Sequence, residues 1–493
     1  MKHILLLAVL FATPLTVPSS PQDVQVTVMG FESATFEMPK GEPELVAGLY
    51  DAIIVGGGMS GLTACWYLKD KKVVVLERDG RLGGLAHRGT TGDGIAYGRG
   101  SAYYSEPPEN VMVWYKEMGL TPIEQTLIPS PIDSYHREGK LVLDMWEEPS
   151  FKQVPKEFRA FYKKLLKDDK DGKVASQPMD KAEDLSLDKI SAAEYIKPYG
   201  KELKAYLDVY CQSALGCYTD DVSALAFVNF YTSEITHRYA WPGGTGGASA
   251  ILAEKLKEHA KTGCTVVRVE PDGDGVLVDY VENSKLFRIR GRTAILAVPL
   301  RVAAHIFPGM PEERKKLIST LRYADYIVHQ VFTSRDLYTK TYDTWFTDKS
   351  FTDVIVARWI ETKGFKEPPK GGPGILSIYQ PLAPGREKRP LNEETIKSLA
   401  IRAVSELGDV LPDLKKEPSL KVESYRWPAS IHIVPPGYFM TVAPKLIPPV
   451  GRVHFAANNL GTPSFEEAIY RGHEAAMDVR KLLHAPVPAD AKK

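Results

Sequence analysis

Cysteine is scarce: four in 493 residues, at Cys65, Cys211, Cys217 and Cys264, with no CxxC pair among them. No His/Cys group has zinc-ligand spacing, so no metal centre is expected. Cys211 and Cys217 stand six apart in a stretch of helical pattern, which predicts different faces; all four read as small buried hydrophobes. There is no excess of either charge, with 62 Lys plus Arg against 62 Asp plus Glu. Nucleic acid and anionic membrane surfaces both require a basic excess, so neither is expected as the main partner. No apolar run reaches the roughly 20 residues that span a bilayer, and no internal repeat is evident. What remains is 44% hydrophobic and 25% charged, ordinary globular values that exclude a disordered or fibrous chain. The length predicts about two to four domains.

Residues 1–20 have the pattern of a Sec-type signal. Lys2 and His3 precede the apolar run from Ile4 to Ala12, followed by Thr, Pro and Ser, with no twin arginine. Export to the periplasm or medium is the expectation; an uncleaved anchor or a buried strand is the alternative.

From Tyr50 the pattern changes. Asp51-Ala52-Ile53-Ile54-Val55 reads as a fully buried parallel strand, Leu62–Leu68 as a helix, and Val73–Glu77 as a second buried strand. Between the first strand and the helix lies Gly56-Gly57-Gly58-Met59-Ser60-Gly61, with Gly56, Gly58 and Gly61 at the GxGxxG positions. Gly56 permits the tight turn, Gly58 lets a pyrophosphate approach the main chain, and Gly61 allows helix and strand to pack closely. The helix start at Ser60 offers free N–H groups and partial positive charge to that anion, and Glu77 can accept from the ribose hydroxyls. A dinucleotide site follows. Pro242-Gly243-Gly244-Thr245-Gly246 is not a Walker loop, because no Gly-Lys-Ser/Thr follows.

Arg81-Leu82-Gly83-Gly84 puts a glycine doublet just beyond the ribose-binding acid, flanked by Arg78 and Leu85. Here the sequence resembles the flavin amine oxidase superfamily, which includes protoporphyrinogen oxidase-like and phytoene desaturase-like enzymes. The resemblance implies FAD, and with no cysteine near Tyr438 it is expected to be non-covalent. Gly98-Arg99-Gly100-Ser101 looks like the family's segment beneath the flavin ring, Val266 like the valine that meets adenine, and Asn458, Asn459, Glu467 and Ala468 fall in the closing FAG…EGA segment. Thr462-Pro463 is expected to start the last helix and to aim its positive end at the flavin N1/C2=O edge.

Several positions depart from the family. Asn458-Asn459 stands where an acid is usual, and Glu467 replaces a glycine. The position of the N5-proximal lysine of many family oxidases aligns with Val328, which puts the use of oxygen in doubt. Tyr438, Trp427 and Phe465 are the candidate catalytic or pocket residues, but a cage of two tyrosines is not evident.

The expected fold is a Rossmann-type FAD domain in three pieces (48–105, 240–300 and 445–484) with a mixed-sheet and helical substrate domain (106–239 and 301–444). A signal at 1–20, an extension at 21–47 and a tail at 485–493 complete the chain. The function implied is an FAD-dependent oxidoreductase of amine oxidase type that takes hydride from a small-molecule substrate and passes electrons to oxygen or another acceptor. A C–C desaturase or isomerase of an apolar substrate, and a non-catalytic flavoprotein, remain open.

Overall fold

Strands Ala52–Val55, Val73–Leu76, Ala294–Leu296 and Val453–Phe455 are apolar almost throughout and buried at every residue. In the computed structural model, which describes residues 23–30, 38–362, 372–384 and 391–484, they join Ala260–Lys261 in one parallel sheet. Its order is 260–261, 73–76, 52–55, 294–296, 453–455. Helices Met59–Leu68, Gly246–Leu256 and Phe465–His484 share a core with it. Helices 59–68 and 465–484 cross so closely that a Cβ on Gly472 would lie 2.3 Å from the Ser60 carbonyl oxygen. Because the strands run parallel, the turns after Val55, Leu76, Leu296 and Phe455 gather at one edge, the carboxyl edge where open α/β sheets bind ligands. The expected Rossmann-type layer is present.

The second layer is an eight-stranded mixed sheet in the order 23–29, 419–432, 323–333, 374–382, 353–356, 343–346, 133–137, 140–142. A helical group packs beside it, including Lys156–Lys170, Gly200–Leu215 and Ala224–Thr236. The first of these helices runs into the charged stretch 167–173 and ends at Lys170. Phe158, Phe161 and Leu165 give that helix a buried stripe, and Lys164–Asp168 and Lys167–Asp171 support its outer face as i,i+4 pairs.

Residues 21–47, expected as an extension, supply strands to two sheets. Asp23–Met29 runs parallel to 419–425 at the edge of the large sheet. Glu44–Tyr50 pairs in parallel with 287–291 beside the hairpins of 264–291. The signal-like run at 1–20 and the tail at 485–493 lie outside the described residues.

Candidate cofactor and active site

The turn after Val55 is built as the glycine spacing requires. Gly56 has φ +102°, and a Cβ there would meet the Ala297 carbonyl oxygen at 2.5 Å; on Gly61 it would meet the Gly56 carbonyl oxygen at 1.9 Å. At Gly58 the nearest atom would be the Gly84 Cα at 4.0 Å, which leaves an open cradle there, whereas a Cβ on Gly84 would fall 3.1 Å from the Gly58 Cα. The doublet is docked on the turn, with Gly83 N–H donating to the Gly57 carbonyl at 2.8 Å. Helix 59–68 starts without a side-chain cap, so its first N–H groups stay available.

Glu77 accepts from Gly57 N–H (2.6 Å) and Asp79 N–H (2.8 Å). Burial pushes its carboxyl up, and those two donors oppose the shift. It thus holds the turn as well as standing where the ribose is expected. Arg81 donates to the Gly84 carbonyl at 3.3 Å and lies over the Trp427 ring. Arg78, by contrast, is exposed and pairs with Asp79.

Segment 98–101 is held by three side chains on one face of the large sheet. Gln330 donates to the Gly98 carbonyl (2.6 Å), Trp427 to Arg99 (2.7 Å) and Tyr379 to Gly100 (3.2 Å). The register puts them on that face: Tyr326 opposes Trp427, Val328 opposes Tyr379, and Gln330 opposes Ser377. Ser377 donates to Gln330 Oε1 at 2.8 Å, and Tyr97 donates to Glu423 at 2.8 Å. The segment has no slack, since a Cβ on Gly100 would fall 2.2 Å from the Leu85 carbonyl oxygen and Ser101 N–H donates to that same atom. Leu85 itself is partly exposed.

Gln330, Ser377, Tyr379 and Glu423 were missed from the sequence. Gln330, Ser377 and Tyr379 leave only the trace of polar side chains inside otherwise apolar strands. Val328, the aligned lysine position, faces this boundary and is apolar. His329 points to the opposite face, where Ser424 (2.7 Å) and Gln380 (3.0 Å) hold it and burial pushes it down to about 4.

Other predicted residues sit apart from this constellation. Tyr438 is fully buried in the helical core and its hydroxyl donates to the Asn459 carbonyl. Asn459 Oδ1 accepts from Leu300 N–H at 3.1 Å, which caps the short helix Leu300–Ile306. Asn458 is half-buried beside it. Val266 lies half-buried on strand Cys264–Asp272 next to an irregularity in register. Phe465 packs among Tyr104, Tyr115 and Trp241.

The last helix starts at Phe465, not at Thr462-Pro463. Ser464 N–H bonds the Thr462 carbonyl, and this turn brings the Ser464 hydroxyl to Glu467 N–H at 3.0 Å as the true cap. Two of the protein's own carboxyls occupy that first turn. Glu466 accepts from Ser105 N–H at 3.1 Å, and Glu467 accepts from Arg471 at 2.7 Å, close against Gly461. Burial pushes both up to about 7. The positive end of the helix therefore meets Glu466 and Glu467 first, and Ala468 follows them inside the helix.

Behind Tyr103 is a second buried charge group. Arg238 pairs with Asp133 (2.9 Å), Asp343 (3.1 Å) and Glu234 (4.0 Å), while Asp353 accepts from Ser213 (2.7 Å) and Thr352 (2.6 Å). Burial pushes Glu234 and Asp353 up to about 7.

A model of flavin containing amine oxidoreductases matches residues 59–480. The chain belongs to that family. Flavin-containing amine oxidase B of Bos taurus is 24% identical over 478 residues, covering 89% of this chain and 88% of the relative. Oxidoreductase PigB of Serratia sp. (strain ATCC 39006) is 22% identical over 547 residues, covering 92% and 79%. Cyclohexylamine oxidase from Brevibacterium oxydans IH-35A shares the fold with TM-score 0.67 at 20% identity, over 89% of this chain and all of that one. A fatty acid isomerase from P. acnes does so with TM-score 0.64 at 15% identity, over 87% and 98%.

FAD is the cofactor of this family, and the residues present fit it. The cradle at Gly58 is open and the helix start beside it has no side-chain cap. Among the described residues, His87 Nδ1 and Arg99 Nε are buried without a hydrogen-bond partner. Burial, with Arg81 and Arg99 nearby, pushes His87 down to about 3, so it is a neutral group available for hydrogen bonding. Among the described residues no His/Cys/Asp/Glu group is arranged for a metal ion.

Proposed function

We propose that this oxidoreductase oxidises an amine, taking hydride from the C–H beside nitrogen. When bound, FAD supplies the two-electron acceptor for that chemistry. The Gly56–Gly61 turn and the start of helix 59–68 hold the pyrophosphate, Glu77 orients the ribose, and Gly98–Ser101 line the reacting end. Gln330, Trp427 and Tyr379 fix that segment from the substrate side. A substrate arriving as the neutral amine needs no dedicated base, in keeping with a face that carries donors and acceptors but no acid–base pair aimed at segment 98–101.

The observation that carries this reading is the polarity of the face. Gln330 and Tyr379 donate to the cofactor segment, Ser377 holds Gln330, and Tyr326 shares Ser213 with buried Asp353. A polyene or tetrapyrrole offers such a face no polar partner, and each of these hydrogen bonds it broke would cost about 1–3 kcal/mol. The test is anaerobic titration of the holoprotein with a panel of amines, following bleaching of the flavin band. Bleaching by none of them, with bleaching by an unsaturated apolar substrate, overturns the amine reading.

With Val328 in place of lysine, we infer that oxygen is a slow acceptor. Photoreduced holoprotein is expected to reoxidise at least about tenfold faster with an artificial quinone than with air. The pattern of residues 1–20 supports export, with FAD then acquired outside the cytoplasm; N-terminal sequencing of the mature protein tests it.

A further inference from the structure

We propose that Cys211 and Cys217 are a disulfide-forming pair that staples the end of helix Gly200–Leu215 to the loop after it. Six residues apart, they would diverge on a continuous helix. The helix instead stops at Leu215, and Gly216 turns left-handed at φ +70°. The Cys211 carbonyl accepts from the main-chain N–H of Gly216 and also from that of Cys217, the latter at 3.2 Å. The chain is folded back so that the two cysteines are joined main chain to main chain. This is the cap of a left-handed glycine, in which the residue beyond the glycine lays its side chain against one in the last turns of the helix; both thiols are free in this structure.

Three further facts support the pairing. Both side chains are enclosed in one core cluster, and the neighbouring Cys217 adds to the burial that pushes Cys211 up. Cys65 is in helix 59–68 and Cys264 in the strand 264–272, so neither competes. Finally, the turn is pinned from outside: a Cβ on Gly216 would meet Ala324 Cβ at 2.8 Å and Ile431 Cγ2 at 3.0 Å. The backbone turn is closed before any bond forms.

The bond forms by thiol–disulfide exchange with a small-molecule or enzymic disulfide. The thiolate of one cysteine attacks the oxidant, forming a mixed disulfide and releasing one oxidant thiolate. The second cysteine then attacks its partner's sulfur and releases the other. The two protein thiols lose two protons and two electrons, and the oxidant's disulfide becomes two thiols. In the folded protein both thiols are enclosed and burial holds them protonated. The exchange therefore belongs to folding, before helix 200–215 docks, and the redox state is fixed from then on.

The full chain, denatured and refolded with FAD in an oxidised/reduced glutathione mixture, is quenched in acid, alkylated under denaturing conditions and weighed. The expected result is two alkylated cysteines, Cys65 and Cys264, and a peptide spanning 205–238 that is lighter by two hydrogens. Already folded, reduced protein given the same glutathione mixture is expected to keep four alkylatable thiols. The oxidatively refolded form should melt about 2–4 °C higher than the reduced form, a difference absent in Cys217→Ser. Four alkylated cysteines after oxidative refolding, or a link through Cys65 or Cys264, overturns the proposal. The mass measurement on the unmodified chain decides the question even where the variant fails to fold.

Discussion

At the scale of single residues, Gly58 and Gly61 look alike in the sequence and do different work. Gly61→Ala drives a methyl into the Gly56 carbonyl, 1.9 Å away. It is expected to cost more than about 3 kcal/mol of stability and to yield colourless protein. Gly58→Ala meets nothing nearer than 4.0 Å. The apoprotein should melt where the parent does, while FAD binding weakens by about tenfold or more because the methyl fills the cradle. Calorimetry with FAD, beside thermal melts of both apoproteins, separates the two effects.

The buried carboxyls give a signed prediction. Glu234, Asp353, Glu466 and Glu467 are each pushed up to about 7, first by burial. Folding makes these groups hold protons that the unfolded chain releases near 4–4.5, so the folded form is favoured below that range. The stability is lost as pH rises through about 7. Melting temperature should therefore fall between pH 5 and 8. Glu466→Gln keeps an acceptor for Ser105 N–H and is expected to flatten part of that slope; an unchanged slope would assign it to the other three groups.

At the scale of elements, the informative unit is the sheet face carrying Gln330, Trp427 and Tyr379. Trp427→Phe keeps most of the packing but removes the only bond to the Arg99 carbonyl given by this face. We expect a loss of about 1–3 kcal/mol, together with weaker FAD retention because segment 98–101 is freed. Equal losses in the apo and FAD-bound forms would show the segment to be merely structural. The face was half legible: the apolar runs within 323–333 and 374–382 suit buried strands, but nothing local says which of two faces meets the cofactor. His329 and Val328 show this. They are neighbours in sequence, yet pairing alone sends one into the domain boundary and the other away from it.

For the molecule as a whole, strand Asp23–Met29 closes the edge of the large sheet. Deleting residues through Met29 uncovers the edge of 419–432, the strand that bears Trp427. The truncated protein should melt lower and scatter light on warming, as unpaired edges do. A truncated protein with unchanged melting and scattering would show the strand to be dispensable.

What the sequence determined by itself is the cofactor turn, because each part of it is local: buried strand, glycines at fixed spacing, helix, second strand and acid within about 30 residues. Sterics at Gly56 and Gly61 admit nothing else, so the pattern reads without the fold. Tertiary structure alone decided that Tyr438 and Asn459 serve packing and capping, that Gln330, Tyr379 and Glu423 join the site, and that Cys217 folds back on Cys211. Those outcomes depend on which elements meet across more than a hundred residues of chain, or on one left-handed glycine ending a helix, and side-chain type carries no record of either.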